Sequence, residues 1–144
     1  MNLKIMKPKH KSTTKLKKEL RKIFSDYIRL RDAQRTTGGF ENCKCITCSR
    51  QLPRKEMHAG HFVDARYAAT LFDETNVHAQ CPQCNVYFRG EPLKYRREII
   101  RLYGEGYDIQ LEEKADAGHQ FKSYELEELK EHFKQKIKEL LKEG

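Results

Sequence analysis

The sequence predicts an α+β fold: a small ββα finger stapled by four cysteines and flanked by long α-helices. Three observations predict it. Two Cys-x-x-Cys pairs, Cys45/Cys48 and Cys81/Cys84, stand about 33 residues apart. Between them lie only short strand-like runs. On either side, apolar residues recur at spacings of three and four, the period of a helix with one buried face. The length of 144 residues suits one domain with appended helices. We divide the chain into a basic arm (1–11), an N-terminal helix (12–38), a cysteine-stapled core with its following helix (39–104) and a C-terminal helical segment (105–144).

Residues 1–11 are Lys-rich, contain Pro8 and lack a periodic apolar face, so they read as a flexible arm. A helix should open near Ser12 or Thr13 as N-cap, because a hydroxyl there can satisfy a free backbone N–H. Leu16, Leu20, Ile23, Phe24, Tyr27 and Leu30 form its stripe, and Thr36-Thr37-Gly38-Gly39 breaks it. Cys45–Cys48 is a knuckle, and Glu56 to Val63 reads as a strand. A loop of about a dozen residues follows, then a second short strand at Asn76-Val77-His78. Pro82 sits where the first turn of a helix tolerates it, so Cys81-Pro82-Gln83-Cys84-Asn85 should open one.

Another helix should start at Glu91-Pro92, bury Leu93, Ile99, Ile100, Leu102 and Tyr103, and end at Gly104. Residues 104–122 carry weak signals. Ser123 should cap a last helix, with acids early and lysines late to complement the helix dipole. Its stripe is Leu126, Leu129, Phe133, Ile137 and Leu140. Both long stripes read as packing faces, onto the core or onto a second copy.

Charge is uneven. Residues 1–22 hold nine Lys or Arg against the single acid Glu19, so the whole net charge of +8 sits there. A cationic arm on a neutral body suits a polyanion, because phosphate contacts release counterions from nucleic acid; the plainer reading is a solvated tail. Hydrophobic content is 38% and no apolar stretch approaches the ~18 residues of a membrane span. No apolar run follows the positive N-terminus, so a secretory signal is not expected and the protein should stay in the cytoplasm, without a membrane partner.

The five cysteines are an odd number for a disulfide framework. Cys45, Cys48, Cys81 and Cys84 read instead as a closed, structural four-thiolate zinc site. A redox motif would explain one pair and leave the other without a role. Cys43 is the spare, at the wrong spacing from Cys45 for a knuckle. A core this small needs such a staple.

The residues suited to chemistry are His58-Ala59-Gly60-His61 and the run from Asn76 to Asn85. Phosphodiester hydrolysis needs a base active at neutral pH, which histidine supplies. It also needs a divalent cation to offset phosphate charge, held by oxygen and imidazole ligands. The strand bearing His61 and the helix bearing Asn85 are tied by one zinc, so the two can face each other across a small gap. His58 and His78 have plainer readings, as a surface or structural residue and as a hydrogen-bonding residue within the finger. His10, His119 and His132 lack context.

Asparagine, five residues to a cysteine, then Cys-x-x-Cys and asparagine again resembles the second half of HNH (ββα-metal) nucleases. It also looks like phage endonuclease VII, a junction resolvase. The motifs His58-Ala59-Gly60-His61 and Asn76-x-His78-x-Gln80-Cys81-x-x-Cys84-Asn85 are more similar to the NinG/Rap family of lambdoid phages. So are Tyr27 to Ala33 and Tyr95-Arg96, and the likeness runs from about residue 20 onward.

That resemblance implies a Mg²⁺- or Mn²⁺-dependent DNA endonuclease acting on branched recombination intermediates such as Holliday junctions or D-loops. It implies His61 as general base, Asn85 as a ligand of the catalytic metal and Asn76 as orienter of the loop and of the His61 backbone. The products would carry 5′-phosphate and 3′-hydroxyl ends. Two features depart from the pattern. Gly60 stands where an acid usually binds the metal, with His58 or Asp64 as substitutes, and the insert Thr36–Lys44 is longer than expected. Lys15, Lys17 and Lys18, with Arg89, Lys94, Arg96, Arg97 and Arg101 after the finger, could contact phosphates or simply solvate their helices. Two coordinated cuts in a four-way junction would suit a homodimer, joined through the first or last helix. The rivals are a zinc module that binds nucleic acid without cutting, and a nicking enzyme with no junction preference.

Overall fold

A computed structural model describes residues 11–143, so the arm expected over 1–11 lies, except for Lys11, outside the described residues. The architecture is α+β, with two small antiparallel sheets among helices. Helix α1 runs Thr13–Thr37. The Ser12 side chain accepts from the Lys15 N–H at its start, and Gly38, at φ 81°, adopts the left-handed turn that ends it. Leu16, Leu20, Phe24, Tyr27 and Ile28 line its buried face.

Strands β1 (Asn42–Lys44) and β2 (Gln51–Pro53) form a hairpin around the first cysteine knuckle, a pairing not read from the sequence. Strand β3 is His58–His61, shorter than the Glu56–Val63 expectation because a tight turn occupies Arg54–Glu56. It pairs with β4 (Val77–Gln80), His58 opposite Gln80 and Gly60 opposite His78. The short helix α2 (Ala68–Leu71) lies in the connecting loop. The helix expected after Cys81 is only a wide turn over Gln83–Tyr87.

Helix α3 (Pro92–Tyr103) ends before Gly104 as expected, although Leu93 and Leu102 are 77% and 40% exposed and take no part in the core. Helix α4 (Tyr107–Ala117) fills the stretch where signals were weak, and α5 runs Ser123–Glu143. Ser123 is the first helical residue of α5 rather than its cap. The Glu125 carboxylate closes that end by accepting the Lys122 N–H.

The main core joins α1, α5 and the α2 loop. Phe24 packs edge-on against Phe72 and Phe133, while Leu126 and Val77 are fully buried. The stripes of the first and last helices therefore face one another within one chain, not a second copy. A second cluster joins Ala33, Cys43, Met57, Ala79 and the thiols, and a third joins Tyr95, Ile99 and Leu111.

The β3–β4 pair sits between α1 and α3. Arg31 and Asp32 clip it to α1: Arg31 donates to the carbonyls of Glu74 and Val77, both at 2.7 Å, and Asp32 accepts the Ala79 N–H at 2.7 Å. The two side chains also pair with each other at 2.7 Å, so this buried charge is compensated on every side. No helix among the described residues is long and apolar enough to cross a membrane.

Candidate active site and metal centre

The knuckle after β1 and the turn after β4 bring Cys45, Cys48, Cys81 and Cys84 together. Their sulfurs all lie within 4.8 Å of one another. Zn–S bonds of about 2.3 Å at tetrahedral angles place sulfurs about 3.8 Å apart, and the Cys48 and Cys81 sulfurs are 3.8 Å apart. The donor set therefore fits a metal ion such as zinc.

Burial alone would raise the Cys45 thiol. Hydrogen bonds from the Thr47 hydroxyl and from backbone N–H groups outweigh it and hold the thiol at about 7, ready to give up its proton to a metal. Burial and the neighbouring sulfurs push Cys84 well up, the cost of crowding thiols that only a cation offsets. Cys43 lies outside the cluster. It is fully buried in the hairpin core, and burial pushes it up to about 11, which marks an inert packing residue.

Alternation along β3 puts His58 and Gly60 on the face toward α3 and the wide turn, and Ala59 and His61 on the face toward α1. On the first face, Asn85 Nδ2 donates to His58 Nδ1 at 3.0 Å; the residue facing Asn85 is therefore His58 and not His61, which strand alternation turns to the opposite face. His78, opposite Gly60, is spent inside the fold. The Tyr95 hydroxyl donates to the Gly60 carbonyl at 2.6 Å and so accepts from His78 Nδ1 at 3.1 Å; Tyr103 then donates to Nε2 at 2.7 Å. Burial holds His78 neutral, down to about 3.

On the other face, His61 Nε2 lies 3.0 Å from the Leu71 carbonyl. A carbonyl only accepts, so Nε2 carries the proton and Nδ1 keeps its lone pair. Burial lowers the His61 pKa, the Leu71 carbonyl opposes this, and the positive charge of Arg21 lowers it further. The result is a neutral imidazole of fixed orientation. His58 and His61 thus straddle the strand, roughly 10 Å apart along it at ~3.3 Å per residue.

Asn76, fully buried, is the clamp of the loop between β3 and β4. Its side chain accepts the Val63 N–H at 2.8 Å and donates to the carbonyls of Val63 at 3.0 Å and Thr70 at 3.1 Å. Asp64 carries a charge that acts on His61. It is exposed and caps the following turn through the Arg66 N–H.

The basic residues divide. Lys17 and Lys18 line a groove with Thr14, Arg21, Arg66 and Leu71, beside the carbonyl that holds His61. Arg21 and Arg66 were not singled out in the sequence, because only the packing of α1 against the α2 loop brings them together. Lys15 is exposed near the helix start, outside that groove.

Arg89, Lys94 and Arg97 are exposed. Arg96 is not a free cation: its guanidinium pairs with Asp108 at 2.6 Å and Glu112 at 2.9 Å and stacks on Phe62, so it ties α3 to α4. Arg101 lines a separate cavity of about 330 Å³ with Arg35, Lys44 and His78. Tyr87 and Phe88, 81% and 46% exposed, stand beside Asn85 with their rings edge to face.

Comparison with known proteins agrees with the motifs. A family model described as Bacteriophage Lambda NinG protein matches residues 1–143. The chain is 30% identical over 124 residues to the protein ninG of Escherichia phage 933W, a match covering 85% of this chain and 57% of that protein. The figures for protein ninG of Escherichia phage lambda are 30% over 124 residues, 85% and 56%. The chain thus spans a little over half the length of these curated relatives. No solved structure matches it. With its cysteine cluster, its histidine strand and a family match along nearly its whole length, the chain belongs to the NinG family of bacteriophage proteins.

Proposed function

We propose that this chain is a divalent-metal-dependent DNA endonuclease of the HNH kind, acting on branched recombination intermediates. One observation carries the reading. His61 is a neutral imidazole whose ring is fixed by the Leu71 carbonyl, next to a groove of Lys17, Lys18, Arg21 and Arg66. A neutral imidazole near a cationic groove supports hydrolysis of a phosphodiester.

The reading gives each residue a role. Lys17, Lys18, Arg21 and Arg66 hold the DNA backbone by charge, without reading sequence. His61 Nδ1 takes the proton from the attacking water, and the Leu71 carbonyl stabilises the imidazolium that forms. His58 and Asn85, on the opposite face of β3, are the residues that would hold Mg²⁺ or Mn²⁺. An ion held there would offset negative charge on a DNA phosphate. Asn76 keeps the loop that carries the Leu71 carbonyl in place. The cysteine cluster fixes the turn that carries Asn85 and takes no part in the chemistry.

Branched substrates are supported by the family likeness alone, and a homodimer would supply the two cuts a junction needs. The test is cleavage of a labelled four-way junction and its matching linear duplex, with Mg²⁺ or Mn²⁺, by wild type and His61→Ala. Preferential cutting of the junction by the wild type, with binding but no cutting by the variant, is expected. Equal rates on both substrates would leave a nicking enzyme. Binding without cutting by both proteins would leave a zinc-stabilised binding module.

A further inference from the structure

We propose that the side-chain oxygen of Gln80 is a third donor of the divalent-cation site formed with His58 and Asn85. The inference rests on the metal-dependent reading above and goes beyond it, because neither composition nor spacing pointed to Gln80.

Gln80 ends β4 directly opposite His58, so the two side chains leave the sheet on the same face. The Gln80 side chain is fully buried, and its orientation is determined. Nε2 donates to the Gly90 carbonyl at 2.9 Å and to the Thr47 hydroxyl at 3.1 Å. A carbonyl only accepts, so the nitrogen must face Gly90 and the oxygen must face the other way. That oxygen lies over Gly60. Among the described residues nothing donates to it, although it is buried. An unpaired buried amide oxygen is costly and needs a physical reason.

Gly60 supplies the second half of the argument. A Cβ there would collide with the Gln80 oxygen and lie 2.9 Å from the Gln80 Cβ and 3.1 Å from its Cδ. Any side chain on residue 60 and the present Gln80 are therefore mutually exclusive. The space that a side chain at residue 60 would take is occupied instead by an amide oxygen arriving from the paired strand.

The chemistry is suited to the task. An amide oxygen is a hard, neutral donor of the kind Mg²⁺ and Mn²⁺ accept. The His58 Nδ1 lone pair, which now accepts from Asn85, is the one a cation would take. A donor set of one imidazole and two amides carries no charge. The cation should then be held weakly by the protein alone and more tightly once a DNA phosphate adds negative charge.

The test is Mn²⁺ binding to the zinc-loaded full chain, read from the electron paramagnetic resonance signal of the free ion. The proteins are wild type, Gln80→Met, Gln80→Glu, His58→Ala and Asn85→Ala. Gln80→Met, which keeps the volume and removes the oxygen, is expected to weaken Mn²⁺ binding at least tenfold with zinc content unchanged. Gln80→Glu, which adds a charge, is expected to tighten it at least tenfold.

If His58→Ala and Asn85→Ala lose Mn²⁺ while both Gln80 variants bind it like wild type, the site stands and Gln80 is not part of it. If Gln80→Met does not fold, an unchanged affinity in Gln80→Glu is sufficient to overturn the proposal. If the wild type itself holds no Mn²⁺, with or without DNA, the metal-dependent reading fails and this inference fails with it.

Discussion

Replacing Asn76 by alanine separates the loop clamp from the base it supports. The side chain makes three hydrogen bonds to the backbone of one loop: from the Val63 N–H, to the Val63 carbonyl and to the Thr70 carbonyl. Each contributes ~1 kcal/mol net, so their loss costs about 3 kcal/mol. Val63 is half-buried and water can reach part of what is left, whereas Thr70 is fully buried, so its carbonyl stays unpaired. With a denaturant slope of ~2 kcal/mol per molar urea, the unfolding midpoint of the zinc-loaded protein should fall by about 1.5 M. The Val63 amide should lose protection from hydrogen exchange before the amides of β4 do. Cleavage should fall as well, because the Leu71 carbonyl that orients His61 belongs to the released loop. A stability loss below ~1 kcal/mol, with Val63 still protected and cleavage unchanged, would refute this account.

Burial and Arg21 both depress the His61 pKa, so the base should stay neutral below the ordinary ~6.5. Activity should be lost only as pH falls through that lowered value, and Arg21→Ala should move the acid limb of the pH–rate profile upward; an acid limb at or above 6.5 in the wild type would contradict this. Stripping the metal from Cys45, Cys48, Cys81 and Cys84, or making Cys81→Ser, should unfold the finger, since zinc–thiolate binding of ~10–16 kcal/mol matches or exceeds the stability of a whole domain. A melting curve unchanged after chelation would show that the cluster carries no structural metal. Lys18→Ala/Arg21→Ala removes two groove cations, and the log–log salt dependence of DNA binding should flatten by about 1.8, at ~0.9 per phosphate contact. The same pair of changes at Arg96 and Lys130, which are engaged with Glu112 and Glu19, should leave that slope unaltered.

The long helices were legible because each carries redundant signals. Ser12 caps α1, Gly38 ends it, and a stripe from Leu16 to Ile28 marks its buried face. Helix α4 was not legible, since it buries only Asp108, Leu111 and Ala115 and leaves Ile109 54% exposed. Strands β1 and β2 are three residues each with one fully buried side chain between them, too little for an alternation to register. Strand β4 is buried at all four positions, so alternation could not reveal which of its polar residues face the site.

The cysteine cluster was readable because ligand spacing is local to each pair, whereas the groove of Lys17, Lys18, Arg21 and Arg66 exists only after α1 docks on the α2 loop. Arg96 illustrates the converse. A run of cations in sequence does not show that Asp108 and Glu112 fold back to meet one of them.

The two halves of the site are referenced to different supports. The cysteine cluster positions Asn85, and through it His58, while α1 supplies Arg21 and the wall of the groove beside His61. These supports meet in the four-residue pairing of β3 with β4. A slip of one residue in either strand would move its side chains to the opposite face, placing His58 or Gln80 against α1 and His61 against α3. Four residue pairs are a weak hold on register by themselves. The Arg31–Asp32 clip strengthens it from the α1 side, since it bonds the Val77 carbonyl and the Ala79 N–H, two positions a slipped strand would not present together. The Tyr95 hydroxyl strengthens it from the α3 side, bonding the Gly60 carbonyl and His78 across the same pair. Buried polar residues are thus what hold His58 and His61 on opposite faces of one strand.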